Sequence, residues 1–299
     1  MVRWRRGPRS DDLIDRRGQR LRGGRMRGIP IPLGAMRGLG LPGLLLVLGL
    51  VLFLNFCGGG TGIDPGTSGF DRTGAPAGAD PLDPSVDPDA ELVDFLSFVL
   101  DDIQDEWDDL FRLSGLEYRR AELVLFDQFT ESGCGGASEA VGPHYCPLDQ
   151  RVYLDLGFFR QLAQEFGAKG DFAQAYVLAH EIGHHVQNLL GTMDRVQSAQ
   201  QDGSMDANDL SIRLELQADC FAGVWGYSTF QRELLESGDL QEALNAAAAV
   251  GDDRIQERVT GRIDPESWTH GTAEQRMSWF RRGFDSGDPA SCDTFSAGI

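Results

Sequence analysis

The sequence predicts a helix-rich α+β domain with a small antiparallel sheet, preceded by one transmembrane helix. Three observations carry that prediction. Apolar residues recur every three or four positions across 92–110, 173–191 and 210–231, the period of helices with one buried face. Two short β-like runs, 122–129 and 151–156, stand between the first and second of these stretches. Residues 38–56 carry no charge over nineteen positions, close to the roughly 20 needed to cross a bilayer as a helix.

Charge is divided unevenly along the chain. Residues 1–37 hold eleven Arg and three Asp, a net of +8, in a chain of −19, which leaves −27 to residues 38–299. An acidic body repels phosphates, so nucleic acid is excluded as a partner. The arginines before the apolar run read as a basic cytoplasmic tail (1–37), with the body on the other side of a cell membrane crossed once. A 37-residue lead is too long for a cleaved signal peptide, and no small-x-small site precedes the Gly run after Cys57. The lipid bilayer is therefore an expected partner. Residues 57–88 are Gly, Pro, Asp and Thr with almost no large apolar residue, a linker without a core. The folded domain is expected to span 89–299.

Within that domain, Leu92, Leu96, Val99, Ile103, Trp107 and Leu110 form one face of a first helix. Its acidic residues, from Asp101 to Asp109, are read as a solvated face. The two β-like runs follow, and an edge strand here would offer free N–H and C=O groups to an extended peptide. Cys134, Cys146, Cys220 and Cys292 are an even set, as an oxidising compartment allows, with three possible connectivities. Cys134 and Cys146 flank a Gly-rich loop and make the local pair, which leaves Cys220 for Cys292. Residues 158–166 read as a connecting helix. Asp171 is a candidate cap for the next helix and Gly191 its stop. Residues 192–208 are polar and read as an irregular loop, a place for a lid. Helices are expected over 210–231 and 240–249. Thr272 and Gln275 stand as a capping box before a helix running to about Phe284.

The most specific chemistry lies in Ala173–Gly191, AQAYVLAHEIGHHVQNLLG. His180 and His184 are four apart, so both imidazoles leave one face of one helix, with Glu181 turned about 100° from His180. In H-E-x-x-H two neutral imidazoles hold Zn²⁺, and the carboxylate acts as general base toward a water in the open position. Val177, Leu178, Ile182 and Val186 make the helix a buried one. Gly183 is costly inside a helix unless a neighbour packs close. His185 points off the ligand face and reads as structural. A catalytic zinc needs a third protein ligand. Positions 187 and 190 are Gln and Leu, so the same segment supplies none. Glu215 and Asp219 share a face of the following helix at i, i+4. Either carboxylate can bind the metal while the other accepts the N–H of a ligand His. His270, just before the Thr272 cap, and Tyr145 are candidate donors to an oxyanion.

E-x-x-x-D after H-E-x-x-H resembles the gluzincin pattern, which makes Glu215 the ligand and Asp219 its support. More broadly, the sequence resembles the bacterial membrane-anchored neutral zinc metallopeptidases. The stretches that carry the likeness are RWRRGPRSDDLIDRRG, SGCGGASEAVGPHYCPLDQRVYLDLGFF, AYVLAHEIGHHVQNLLG, LELQADCFAGVW and THGTAEQRMSWFRRGFDSGDPASCDTF. The resemblance implies a zincin-like fold, hydrolysis of a peptide or protein substrate, and zinc held by His180, His184 and Glu215. A reading of another class is a non-catalytic cell-envelope binding module folded around zinc; a general base such as Glu181 has no use there.

Overall fold

A computed structural model of the chain describes residues 2–18, 87–138, 142–165, 167–296 and 299. The expected transmembrane helix, 38–56, and nearly all of the expected linker lie outside them. Among the described residues no helix is long and apolar enough to cross a membrane. The body is α+β and rich in helix.

Its first long helix, α1 (Ala90–Leu113), buries Val93, Leu96, Val99, Leu100, Ile103, Trp107 and Phe111 along one stripe. The opposite, acidic face is not simply solvated. Asp102 accepts from Trp225 Nε1 at 2.8 Å and pairs with Arg232, while Asp101 and Asp105 pair with Arg120. Six short strands are described: β1 (Leu13–Asp15), β2 (Glu122–Phe126), β3 (Phe129–Ser132), β4 (Gly135–Ser138), β5 (His144–Cys146) and β6 (Arg151–Asp155). Antiparallel pairing is confined to the two-stranded β3–β4 sheet and to β5 on β6. The main sheet has the order β1-β2-β6-β5, and its β1–β2 and β2–β6 pairs are parallel. The two runs expected as strands, β2 and β6, are thus interior, and the free edges belong to β1 and β5.

The helices that follow are α2 (Leu156–Glu165), α3 (Asp171–Leu189), α4 (Thr192–Asp202), α5 (Ala207–Gln231), α6 (Asp239–Ala249), α7 (Asp252–Thr260) and α8 (Ala273–Ser286). The stretch read as an irregular loop, 192–208, is mostly α4. Left-handed glycines at 191 and 203 bound it, and one buried apolar residue, Val196, seats it. α3 lies in the middle, packed by α1, α5, α6 and β5. Gly183 fulfils the expectation of a close neighbour: a Cβ there would stand 2.9 Å from the Ala218 carbonyl of α5. α5 and α8 approach as closely, Gly223 facing Phe280 and Gly283 facing Cys220 across the contact. Thr272 and Gln275 form the capping box of α8. Disulfides join Cys134 to Cys146, and Cys220 to Cys292.

The first residues of the chain depart most from expectation. Residues 2–18 form a strap on the body, not a separate basic tail. The Val2 N–H donates to Asp171 at 2.7 Å, and the Arg3 N–H to the Leu234 carbonyl at 2.7 Å. Trp4 packs on Phe95 with ring centroids 5.5 Å apart. Arg6 and Arg9 both hold Asp94 of α1, and the Ser10 N–H donates to Ser97 at 2.7 Å. β1 then joins the sheet with Leu13 opposite Leu123 and Asp15 opposite Leu125. Arg17 closes the strap: its side chain is 2 % exposed and holds Asp15 and Asp87 at 2.7 Å each. Four of the arginines that suggested a tail, Arg3, Arg6, Arg9 and Arg17, are matched to carboxylates far along the chain, and those from Arg20 to Arg37 lie outside the described residues.

Candidate metal centre

The close α3–α5 crossing at Gly183 and Ala218 sets the site, because His184 and Asp219 are the next residues on the two helices. His180 and His184 project together, ring centroids 4.8 Å apart and planes nearly perpendicular. Glu215 reaches them from α5. Its Oε2 lies 3.1 Å from His180 Nε2, and its Oε1 lies 3.4 Å from His184 Nε2. One donor atom from each of the three residues falls within 4.8 Å of the others.

The far side of each ring is held. His180 Nδ1–H donates to Asp219 Oδ1 at 2.8 Å. His184 Nδ1–H donates to Gln187 Oε1 at 2.9 Å, and the Gln187 amide is itself fixed by donating to the Leu214 carbonyl at 2.7 Å. Both Nε2 atoms are thereby turned toward Glu215. Two imidazole nitrogens and a carboxylate, with the opposite nitrogens tied, are a donor set that suits zinc with a position left open.

Asp219 is fully buried and collects three donors on Oδ1: Tyr176 Oη at 2.5 Å, His180 Nδ1, and Arg276 Nη2 at 3.0 Å. Arg276 also gives Nε to Oδ2 at 2.8 Å, and its Nη2 stands 3.7 Å from Glu215. Burial alone would raise the Asp219 carboxyl; the Arg276 and His180 charges hold it below the usual carboxylate range. Burial likewise opposes ionisation of Glu215, and His184 and His180 hold it well below its ordinary value. In the metal-free chain burial pulls His180 down, but the Asp219 charge and the bonds to Asp219 and Glu215 raise it to about 10. Glu181 is 7 % exposed, and among the described residues no group bonds its carboxylate.

His270 and Tyr145 fall in different places. The 269–271 loop packs on α5 beside Glu215, where a Cβ on Gly271 would lie 3.3 Å from Ile212 and 3.5 Å from Leu216. Asp252 organises this loop. Its Oδ2 accepts the N–H groups of Thr269, His270 and Gly271, and its Oδ1 holds His270 Nδ1 at 3.1 Å. Desolvation lowers His270, but the Asp252 bond and the Glu215 charge outweigh it and raise the imidazole overall. Tyr145, by contrast, is not brought to the metal cluster. Its hydroxyl bonds His185 Nδ1 at 3.0 Å and Asn188 Nδ2 at 2.9 Å, on a different face of α3, and burial pushes it up to about 12.

Residues 2–295 match a family described as "Putative neutral zinc metallopeptidase". The chain belongs to that family. It is 45% identical over 300 residues to YpfJ of Escherichia coli (strain K12), covering all of both chains. It is also 52% identical over 191 residues to Rv2575 of Mycobacterium tuberculosis (strain ATCC 25618 / H37Rv), covering 60% of this chain and 64% of that one. No solved structure matches. Of the residues singled out in the sequence, the structure brings His180, His184, Glu215 and Asp219 together, and it adds Arg276, Tyr176, Gln187 and Asp252 as supports not singled out there. A signal for Arg276 was present: it interrupts the apolar stripe Ala273, Phe280, Gly283, Phe284 of α8, where a lone charge needs a buried partner.

Proposed function

We propose that the chain is a zinc-dependent peptidase acting on peptide or protein substrates, with His180, His184 and Glu215 as metal ligands and Glu181 as general base. The observation that carries this reading is the convergence of three donors whose ring orientations are fixed from behind. Zinc, when bound, supplies Lewis acidity and lowers the pKa of its water to about 7. Everything else falls to the chain. Glu181, next to His180 and unengaged by any described group, takes a proton from the attacking water and returns it to the leaving amine. Asp219, held by Arg276 and Tyr176, keeps His180 in one orientation throughout. His270, with Nδ1 tied to Asp252 and the ring within the field of Glu215, serves as a donor for the developing oxyanion. The two disulfides support an oxidising compartment for the body.

The test is Glu181→Gln in the full chain, with bound zinc and cleavage of an unfolded protein both measured. Zinc should stay near one equivalent while cleavage falls by about 10²–10⁴-fold. Wild-type protein that holds zinc yet cleaves nothing sinks the reading and favours a structural metal.

A further inference from the structure

The strap bears on how the chain meets a membrane. Residues 2–18 and residues from 87 onward belong to one folded body, and between them runs the uncharged stretch 38–56. Their attachment is not a surface touch. The Leu123 N–H donates to the Asp12 carbonyl and the Arg16 N–H to the Leu125 carbonyl, both at 2.8 Å, so β1 is laid in register on β2. Arg17 and Asp87 are buried against each other with side chains 2 % and 1 % exposed. A bilayer core about 30 Å thick cannot lie between groups at hydrogen-bond distance. A chain that leaves the body at Gly18 and rejoins it at Asp87 therefore starts and finishes on one side. Nineteen uncharged residues suffice for one crossing at about 20 residues each, and the remainder of 19–86 has no second run of that kind.

Five of the eleven arginines that argued for a cytoplasmic tail have another use. Arg3 faces Glu236, Arg6 and Arg9 hold Asp94, Arg16 donates to Thr130 and to the Glu131 carbonyl, and Arg17 holds Asp15 and Asp87. The body thus carries a face, along α1 and the β2 edge, whose carboxylates and open ladder match one particular basic segment. Even a carboxylate at the start of α3 takes part, since Asp171 accepts the Val2 N–H.

We propose that this face is the docking site for the chain's own residues 2–18, and that strap and body share one compartment. Single-pass topology and the docked strap exclude each other. Undocking would leave Asp87 without its guanidinium and the β2 edge without its partner, so the docked arrangement prevails. This inference is independent of whether the metal centre is catalytic.

Cysteine labelling of the full chain decides it, in a Cys57→Ser background that removes the one cysteine outside the disulfides. Gly7→Cys places a thiol in the strap at an exposed position where a Cβ meets no atom within 4 Å. Leu113→Cys places one on the body at a side chain 77% exposed. A membrane-impermeant maleimide is applied to intact cells and again after lysis. Both thiols should behave alike in intact cells, and both should react after lysis. A strap thiol that waits for lysis while the body thiol reacts at once, or the reverse, overturns the proposal. Pro8→Cys, also exposed in the strap, repeats the reading should Gly7→Cys lower the yield of folded protein.

Discussion

Arg17 and Arg276 are the two buried arginines among the described residues, and they serve different ends. Each neutralises carboxylates that could not stay ionised alone. Arg17 holds Asp15 and Asp87, and from them the ion pairs run on to Asp89, Arg9 and Asp94, a clamp between the strap and the start of α1. Arg276 holds Asp219, whose Oδ1 goes on to His180, whose Nε2 faces Glu215. Both pairings shift their acids downward: burial raises Asp87 and Asp219, and the guanidinium together with neighbouring donors more than reverses it. Burial and pKa shift thus do not separate architecture from chemistry. What separates them is where the carboxylate's remaining atoms lead.

Arg276→Met should show the larger effect of the two. Leaving Asp219 buried without its cation costs about 3–5 kcal/mol of stability by the usual measure of a broken buried pair. It should also weaken zinc by roughly 10–100-fold, because the support of a ligand histidine is disturbed. Denaturant unfolding and chelator competition measure the two quantities separately. A stability loss with unchanged zinc affinity would make Arg276 the equal of Arg17 and erase the contrast. Arg17→Met should sit lower, near 3 kcal/mol, the bottom of the same range, since the strap's other contacts remain. Zinc affinity and kcat/KM should then hold within about twofold, measured well below the unfolding midpoint.

The same contrast explains what could be read from the sequence. The metal cluster is written in local spacings. Four residues separate the rings, four separate Glu215 from Asp219, and Gly183 beside His184 marks where two helices meet. Helical period alone converts those spacings into shared faces. Arg276 lies 57 residues beyond Asp219, and no period links them. The strap was harder still. β1 is three residues long, too short for an alternation signal, and Arg17 finds Asp87 across 70 residues of chain. Composition there does not reveal the strap, since a run of arginines looks alike whether its carboxylates are water-exposed, distant or folded over it. Position 187 teaches the converse. Its glutamine, with Leu190, speaks against a third ligand from the same segment, and the structure shows that glutamine orienting His184.

A smaller effect tests the contrast within a single helix. α3 carries three imidazoles, two facing Glu215 and one, His185, facing away. His185 Nε2–H donates to the Arg119 carbonyl at 2.5 Å, which leaves Nδ1 to accept from Tyr145, so the ring is built in as a neutral group. Burial is the main cause that holds it below its ordinary value, against the upward pull of the Arg119 carbonyl. The sign of its pH dependence follows. The unfolded chain binds this proton near pH 6.5 while the folded chain resists it, so its contribution to stability is complete above about pH 6.5 and declines as pH falls from there toward the folded-state value. His185→Gln removes the titration and keeps a polar side chain. The variant's stability should therefore vary less than wild type between about pH 5 and 7 while zinc affinity at pH 8 is unchanged, as denaturant midpoints and chelator competition would record. A wild-type curve that rises on acidification through that window would mean that His185 is charged in the folded protein, and the two faces of α3 would then differ in position only.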